Sequence, residues 1–430
     1  MKPQIFYLFL MFPLIIAATG FAADKFTRPI VHPLKTDRLI TVGGEGADIR
    51  GFTSAAIQKG IEALAPFNGG TVKLTAGVFE ISAPVSLFSN VTLTGEGRET
   101  VLHKVDGFKT EFIIDADYGE LVLTVKDASG FAPGMSIQVF DEKQSGGWDV
   151  TTAKIIDVKD NTLYIDTYLV RDYRADHNGV ISNACSIISA VSADNVHISN
   201  LTVDGNKQTN EFLNGCRGGG VYLHKVKNAT VENILLKDFN GDGISWQITE
   251  DIIIRNNEVM GCSNTGLHPG TGSFRSLIEG NKSHDNEADG LFVCWRVQNG
   301  TVKSNRFYHN KRFGICTGHK DTDMLFEENY IYENGSDGVN FRGEREANAP
   351  HRNIFRNNVV ENNGRLGSGY GFSFNSPARD VVLEYNIIRD TGKGKQKAGV
   401  YIYKNGLPVS LKKNTMSGHA DGNVVSENDK

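Results

Sequence analysis

One phrase recurs five times between 241 and 344: GDGISWQ (241–247), NTGLHPG (264–270), ADGLFVCWR (288–296), FGICTGHK (313–320) and SDGVNFRGE (336–344). Its glycines, Gly243, Gly266, Gly290, Gly314 and Gly338, follow one another at 23, 24, 24 and 24 residues. Asparagines keep the same beat. Asn233, Asn257, Asn281, Asn305 and Asn329 are spaced at 24, Asn358 and Asn386 follow at longer gaps, and Asn286, Asn310 and Asn334 form a second series. Short β-type runs with this period point to a parallel β-solenoid rather than to a helical repeat of roughly 33 to 45 residues. The amides are expected to hydrogen-bond from coil to coil along the axis.

Alternation after each glycine assigns the two faces of the strand, because side chains along a strand alternate. One residue on stand Ile244, Leu267, Leu291, Ile315, Val339, Phe372 and Val400; three on, Trp246, Pro269, Val293, Thr317, Phe341, Phe374 and Ile402. These rows point inward. The rows between them point out: Ser245, His268, Phe292, Cys316, Asn340, Ser373 and Tyr401 at two residues, and Gln247, Gly270, Cys294, Gly318, Arg342, Asn375 and Tyr403 at four. Their mixed character suits a binding face better than a solvated charge fringe.

The rest of the chain fits around this solenoid. Residues 1–22 carry a lysine, an apolar run from Ile5 to Ala18 interrupted by Pro13, and small residues at the end. They read as a signal peptide cleaved near Ala22 or Ala23, so the protein is expected in the periplasm or outside the cell, with no membrane attachment after cleavage. Residues 23–106 read as a capping helix and the first coils, 107–180 as a small β insertion where the period lapses, and 181–430 as the main coils. The helix is expected to start at Thr53 and Ser54 and to bury Ile57, Ile61 and Leu64. A net charge of −5 argues against nucleic acid as a partner. Five cysteines without a CxxC pair, Cys185, Cys216, Cys262, Cys294 and Cys316, suggest neither zinc nor a disulfide framework and read as buried small hydrophobes. A monomer is expected.

With these features the chain resembles the pectate lyase-like superfamily of right-handed parallel β-helices, which comprises polysaccharide lyases, glycoside hydrolases, epimerases, esterases and phage tailspikes. The resemblance implies an all-β fold whose N-terminal end is plugged by the helix, and a carbohydrate ligand on the outward face. The motifs of its polygalacturonase-type hydrolases are altered here: NTG at 264 lacks the Asp of Asn-Thr-Asp, and GHK at 318 stands in place of Gly-His-Gly. The clustered aspartates of a calcium-dependent pectate lyase are missing from this face. No cofactor or metal is therefore expected, with calcium left as an alternative that no residue set supports.

Stacking the coils about 4.8 Å apart gathers the chemistry-bearing residues. His319, Lys320, Asp321, Asp323, His268 and Glu344 are the candidate catalytic groups; Trp295, Arg296, Arg342, Arg345, Phe292 and His351 are the candidate substrate-binding groups. Arg352 lies beside His351. So many cations and imidazoles in a mildly acidic chain suit an acidic polysaccharide or oligosaccharide, with Trp295 as a platform for a sugar ring. Asp242, Asp289 and Asp337, each before a key glycine, read instead as turn acceptors, and His284 and His309 as surface residues. Three functions follow. A lyase would neutralise a uronate carboxylate with Arg296 and Arg342 and abstract the C5 proton with Lys320 or His319. A glycoside hydrolase would pair Asp321 or Asp323 with Glu344. A glycan-binding or adhesive β-helix would use aromatics and amides such as Tyr401, Tyr403 and Asn375. The lyase is the leading expectation, since binding alone does not need converging Lys, His, Asp and Glu.

Overall fold

The computed structural model describes residue 29 and residues 37–429; the expected signal peptide lies outside them. Three parallel sheets of 13, 11 and 11 strands run the length of a solenoid, each coil giving one strand to each sheet. Neighbouring strands are consecutive coils in register, as in Ile278 beside Val302 and Val302 beside Phe326.

The period of two predicted the core. Ile244, Leu267, Leu291, Ile315, Val339, Phe372 and Val400 are all fully buried, as are Trp246, Val293, Thr317, Phe341 and Phe374. Inside, aromatic rings continue the stacking. Phe326 lies on Phe355 at 4.2 Å and Phe341 on Phe374 at 4.4 Å.

Two asparagine ladders tie the coils. In the first, Asn257, Asn281, Asn305, Asn329, Asn358 and Asn386 each pass an Nδ2–H to the next Oδ1 at 2.9–3.0 Å, and the series ends at Asn414. The second runs Asn286, Asn310, Asn334, Asn363 and Gln396. Asn233 is not a rung. That coil is one residue short, so Ile234 takes the position and gives its backbone N–H to Asn257 Oδ1, leaving Asn233 exposed.

The helix α1 (Ser54–Glu62) closes the N-terminal end. Thr53 caps it by accepting from the Ala56 N–H. Ile57, Ile61 and Leu64 are buried against the first strands, as their spacing predicts. Residues Lys109–Ser182 form the expected insertion, a six-stranded antiparallel sheet with its own apolar core around Ile137, Val139, Ile155 and Leu163.

Candidate active site on the outward face

The site lies on the sheet that contains Val221–His224, Ile244–Gln247, Leu267–Gly270, Leu291–Phe292, Ile315–Thr317 and Val339–Phe341. Its outward rows follow the expected register: Tyr222 beside Ser245, Ser245 beside His268, Phe292 beside Cys316, and Cys316 beside Asn340. Much of this face is covered, however. Ser245 Oγ donates to the Gly215 carbonyl at 2.6 Å, because the segment around Gly215 crosses the strands. A Cβ at Gly215 would lie 1.7 Å from Asp242 Oδ2 and 2.4 Å from His268 Nδ1, so only glycine allows the chain so close.

Under that crossing, His268 Nδ1 meets Asp242 Oδ2 at 2.5 Å. Both side chains are almost fully buried. Burial opposes the imidazolium, but the Asp242 carboxylate outweighs it and pushes His268 up to about 10. The other nitrogen, Nε2, is buried with no oxygen or nitrogen partner among the described residues, and the Cys294 thiol lies beside the ring. Asp242 also accepts from Asn264 Nδ2 and the Thr265 N–H, so it is both the turn acceptor expected and the partner of His268.

Phe292 lies between two cations. The His268 ring meets it edge-on at 5.2 Å, and the Arg342 guanidinium lies 4.5 Å above its centroid. Arg342 donates to the Val293 carbonyl at 3.0 Å and pairs with Asp321 at 3.5 Å. Asp321 is fully buried and accepts from the Val297 and Gly318 N–H groups at 3.1 and 2.8 Å. Burial, offset in part by Arg342, pushes its pKa up to about 6. This carboxylate holds the turn.

A second cluster forms where the strands leave the face. Trp295, Arg296 and Lys320 all have left-handed backbones (φ 64°, 67° and 57°), a conformation shared by residues of other turns such as Ser304, Glu328 and Asn357. The Trp295 and His319 rings stack at 4.8 Å, and Arg296 lies 6.0 Å from the indole centroid. His319 Nδ1 is 3.3 Å from Glu344 Oε2. Lys320 is exposed and held by its backbone N–H to Asn348 O.

The remaining candidates lie in the loop that follows. Asp323 makes a two-pronged pair with Arg352, both contacts at 2.7 Å. Both nitrogens of His351 are engaged, one with Glu346 O and one with the Arg379 N–H. Arg345 is exposed beside them. The twelve candidates thus fall into three groups: His268, Phe292, Arg342 and Asp321; Trp295, Arg296, His319, Lys320 and Glu344; and Asp323, Arg345 and His351.

Sequence reasoning missed Asp242 as a partner of His268, although the two stand at fixed offsets from successive key glycines. It also read all five cysteines as buried. Cys185, Cys262 and Cys316 are, but Cys216 and Cys294 are only partly covered. His284, expected at the surface, is buried against Tyr308 at 4.4 Å. Among the described residues no three His, Cys, Asp or Glu side chains converge as metal ligands.

This stacked-coil architecture of three parallel sheets defines a class, the right-handed β-helices. A family described as the right handed beta helix region matches residues 174–349 and 318–430, more than half of the chain, and the chain belongs to it. Among curated proteins, it is 27% identical over 310 residues to mannuronan C5-epimerase AlgE5 of Azotobacter vinelandii, covering 66% of this chain and 28% of that protein. It is likewise 27% identical over 265 residues to mannuronan C5-epimerase AlgE2 of the same organism, covering 56% and 24%. The chain thus spans about a quarter of the length of these relatives. Among solved structures, the A-module of the Azotobacter vinelandii mannuronan C-5 epimerase AlgE4 superposes with a TM-score of 0.56 at 16% identity, over 86% of this chain and 92% of that one. An exopolygalacturonase from Thermotoga maritima gives 0.50 at 13%, over 94% of each chain. At these identities the structural likeness speaks for the fold.

Proposed function

We propose that this protein is an exported enzyme that acts on a uronate-containing polysaccharide by removing the proton at C5 of a uronate residue. The observation that carries the reading is the strand-exit cluster, where His319, oriented by Glu344, stacks beside Trp295 with the exposed cations Arg296 and Lys320 alongside. A uronate ring lying near Trp295 would present its carboxylate to those cations. Neutralising that charge acidifies the C5–H. His319 then takes the proton through Nε2, since Nδ1 faces Glu344.

In a lyase the electron pair left at C5 forms the C4–C5 double bond, the C4–O bond breaks, and the departing oxygen is protonated by Lys320 or water. Epimerisation is the second reading, favoured by the similarity to mannuronan C5-epimerases; there C5 is reprotonated from its opposite face and no bond to oxygen breaks. The hydrolytic reading draws less support, because Asp321 is tied to two backbone N–H groups and Arg342 and Asp323 to Arg352.

One experiment tests all three. The pure protein is incubated in D2O with acidic and neutral glycans, and unsaturated uronate absorbance, new reducing ends and deuterium at C5 are recorded together. Absorbance reports elimination, and deuterium in an uncut polymer reports epimerisation. Reducing ends with neither signal would overturn proton abstraction in favour of hydrolysis, and binding without turnover would make the protein a glycan-binding module.

A further inference from the structure

The turns by which strands leave the candidate face form a ridge along the solenoid, each bonded to the next. Lys225 N–H donates to Gln247 O, Ile248 N–H to Thr271 O, Gly272 N–H to Trp295 O and Arg296 N–H to His319 O, at 2.8–3.1 Å. The ridge therefore carries the strand-exit cluster at one end and runs back from it over three coils. It is also uncovered. Lys225, Ile248, Gly272, Trp295 and Arg296 are exposed, whereas Ser245, Gln247 and His268 on the sheet itself are buried beneath the segment around Gly215.

Beside the ridge lies an open groove of about 700 Å³, lined among others by Lys225, Lys227, Ile248, Glu250, Gly272 and Phe274. Its charges are unequally engaged. Glu250 is held between Lys227 and Arg275 at 3.0 and 2.5 Å, and Arg275 also pairs with Asp251. Lys225 makes no ion pair among the described residues, so its ammonium is available to an anion. Ile248, 43% exposed, and Phe274 put apolar surface between Lys225 and Trp295. A Cβ at Gly272 would meet nothing within 4 Å, so the way to Trp295 is open there. Apolar surface with a few placed charges is the usual make-up of a ligand site.

We propose that the substrate lies along this ridge, parallel to the solenoid axis, with one uronate at Trp295 and His319 and a second, further along the chain, held through its carboxylate by Lys225. The track rests on the proposed C5 chemistry and adds where the rest of the polymer goes. Trp295 and Lys225 are three coils apart, about 14 Å. One pyranose unit spans about one coil, so the rings between them cover Gly272 and Ile248. The exposed carboxylate of Asp194, at the far margin of the groove, repels a further uronate, and the track ends at Lys225.

The test uses polymannuronate and polygalacturonate oligomers from dimer to octamer, with KM measured against length. For the wild type, KM should fall as the chain grows until it spans Trp295 to Lys225, and then level off. Lys225→Ala should raise KM for the octamer about tenfold, the scale of one lost charged contact. Ile248→Asp, which sets a carboxylate under the chain, should do the same, and both should flatten the dependence on length. A length dependence unchanged in both variants would overturn the track and leave the C5 chemistry standing. Absence of turnover on every uronate chain would overturn the C5 chemistry, and octamer binding by calorimetry then decides the track. It stands if Lys225→Ala binds about tenfold more weakly than the wild type, and falls if the two bind alike or neither binds.

Discussion

His268 and Asp242 concentrate much of the site's electrostatics in one buried contact. The folded protein holds the imidazolium to about pH 10, whereas an unfolded histidine releases its proton near 6.5. The group's contribution to stability is fully present below about pH 6.5 and is lost as the pH rises through about 10. Urea unfolding at a series of pH values should therefore show stability declining across that window, and His268→Gln should flatten the slope. An unchanged slope would mean that the imidazole is neutral when folded. His319 sits in a different position, with 19% of its side chain exposed and its ring stacked on Trp295. His319→Ala should lower kcat about 100-fold or more, the scale of a lost acid–base group, with the unfolding midpoint nearly unchanged; full activity in that variant would remove His319 from the mechanism.

Among the repeated elements, the ladder rung is the most demanding. Asn305 Nδ2 donates to Ile278 O at 2.8 Å and to Asn329 Oδ1 at 3.0 Å, while its Oδ1 accepts from Asn281. Asn305→Ala would strand several buried groups at once and should cost about 3 kcal/mol or more, since each unmet buried partner costs about 1–3. The exposed Asn233→Ala should change stability by less than about 0.5 kcal/mol. Denaturant titration of the two variants checks the contrast. The same comparison shows what the sequence made legible. The glycine beat was strong enough to place every inward row, because one slipped residue would turn an entire strand inside out. The spacing of 23 between Gly243 and Gly266 already marked a short coil, but the even count of 24 from Asn233 to Asn257 hid that Ile234 and not Asn233 fills the rung position. The glycine beat could not show that Gly215 crosses the face, because a single close approach from a distant loop leaves no periodic trace. The pairing of Asp242 with His268 was hidden for another reason: an aspartate before a glycine already has a sufficient explanation as a turn acceptor.

Over the whole molecule, the proposed uronate chemistry would rely for attraction on a few exposed cations in a chain of net charge −5. Arg296 and Lys320 are exposed, so salt screens them readily. KM for a polyuronate should rise severalfold as ionic strength is raised through the physiological range, with kcat little changed; an insensitive KM would place the anion contacts elsewhere. The three clusters on the face share no secondary-structure element. They converge only because the coils are stacked, so the geometry of the site depends on the spacing of the solenoid.

The ladders make that spacing a mechanical property. Each rung bonds only to the coils before and after it, most of them 24 residues apart. Pulled from its C-terminal end, such a rod would come apart by unzipping, one coil per force peak. At about 3.5 Å per extended residue, each event would release about 80 Å of chain. The same rail that aligns the candidate site would be recorded in a force trace as a regular sawtooth, ending where α1 closes the stack.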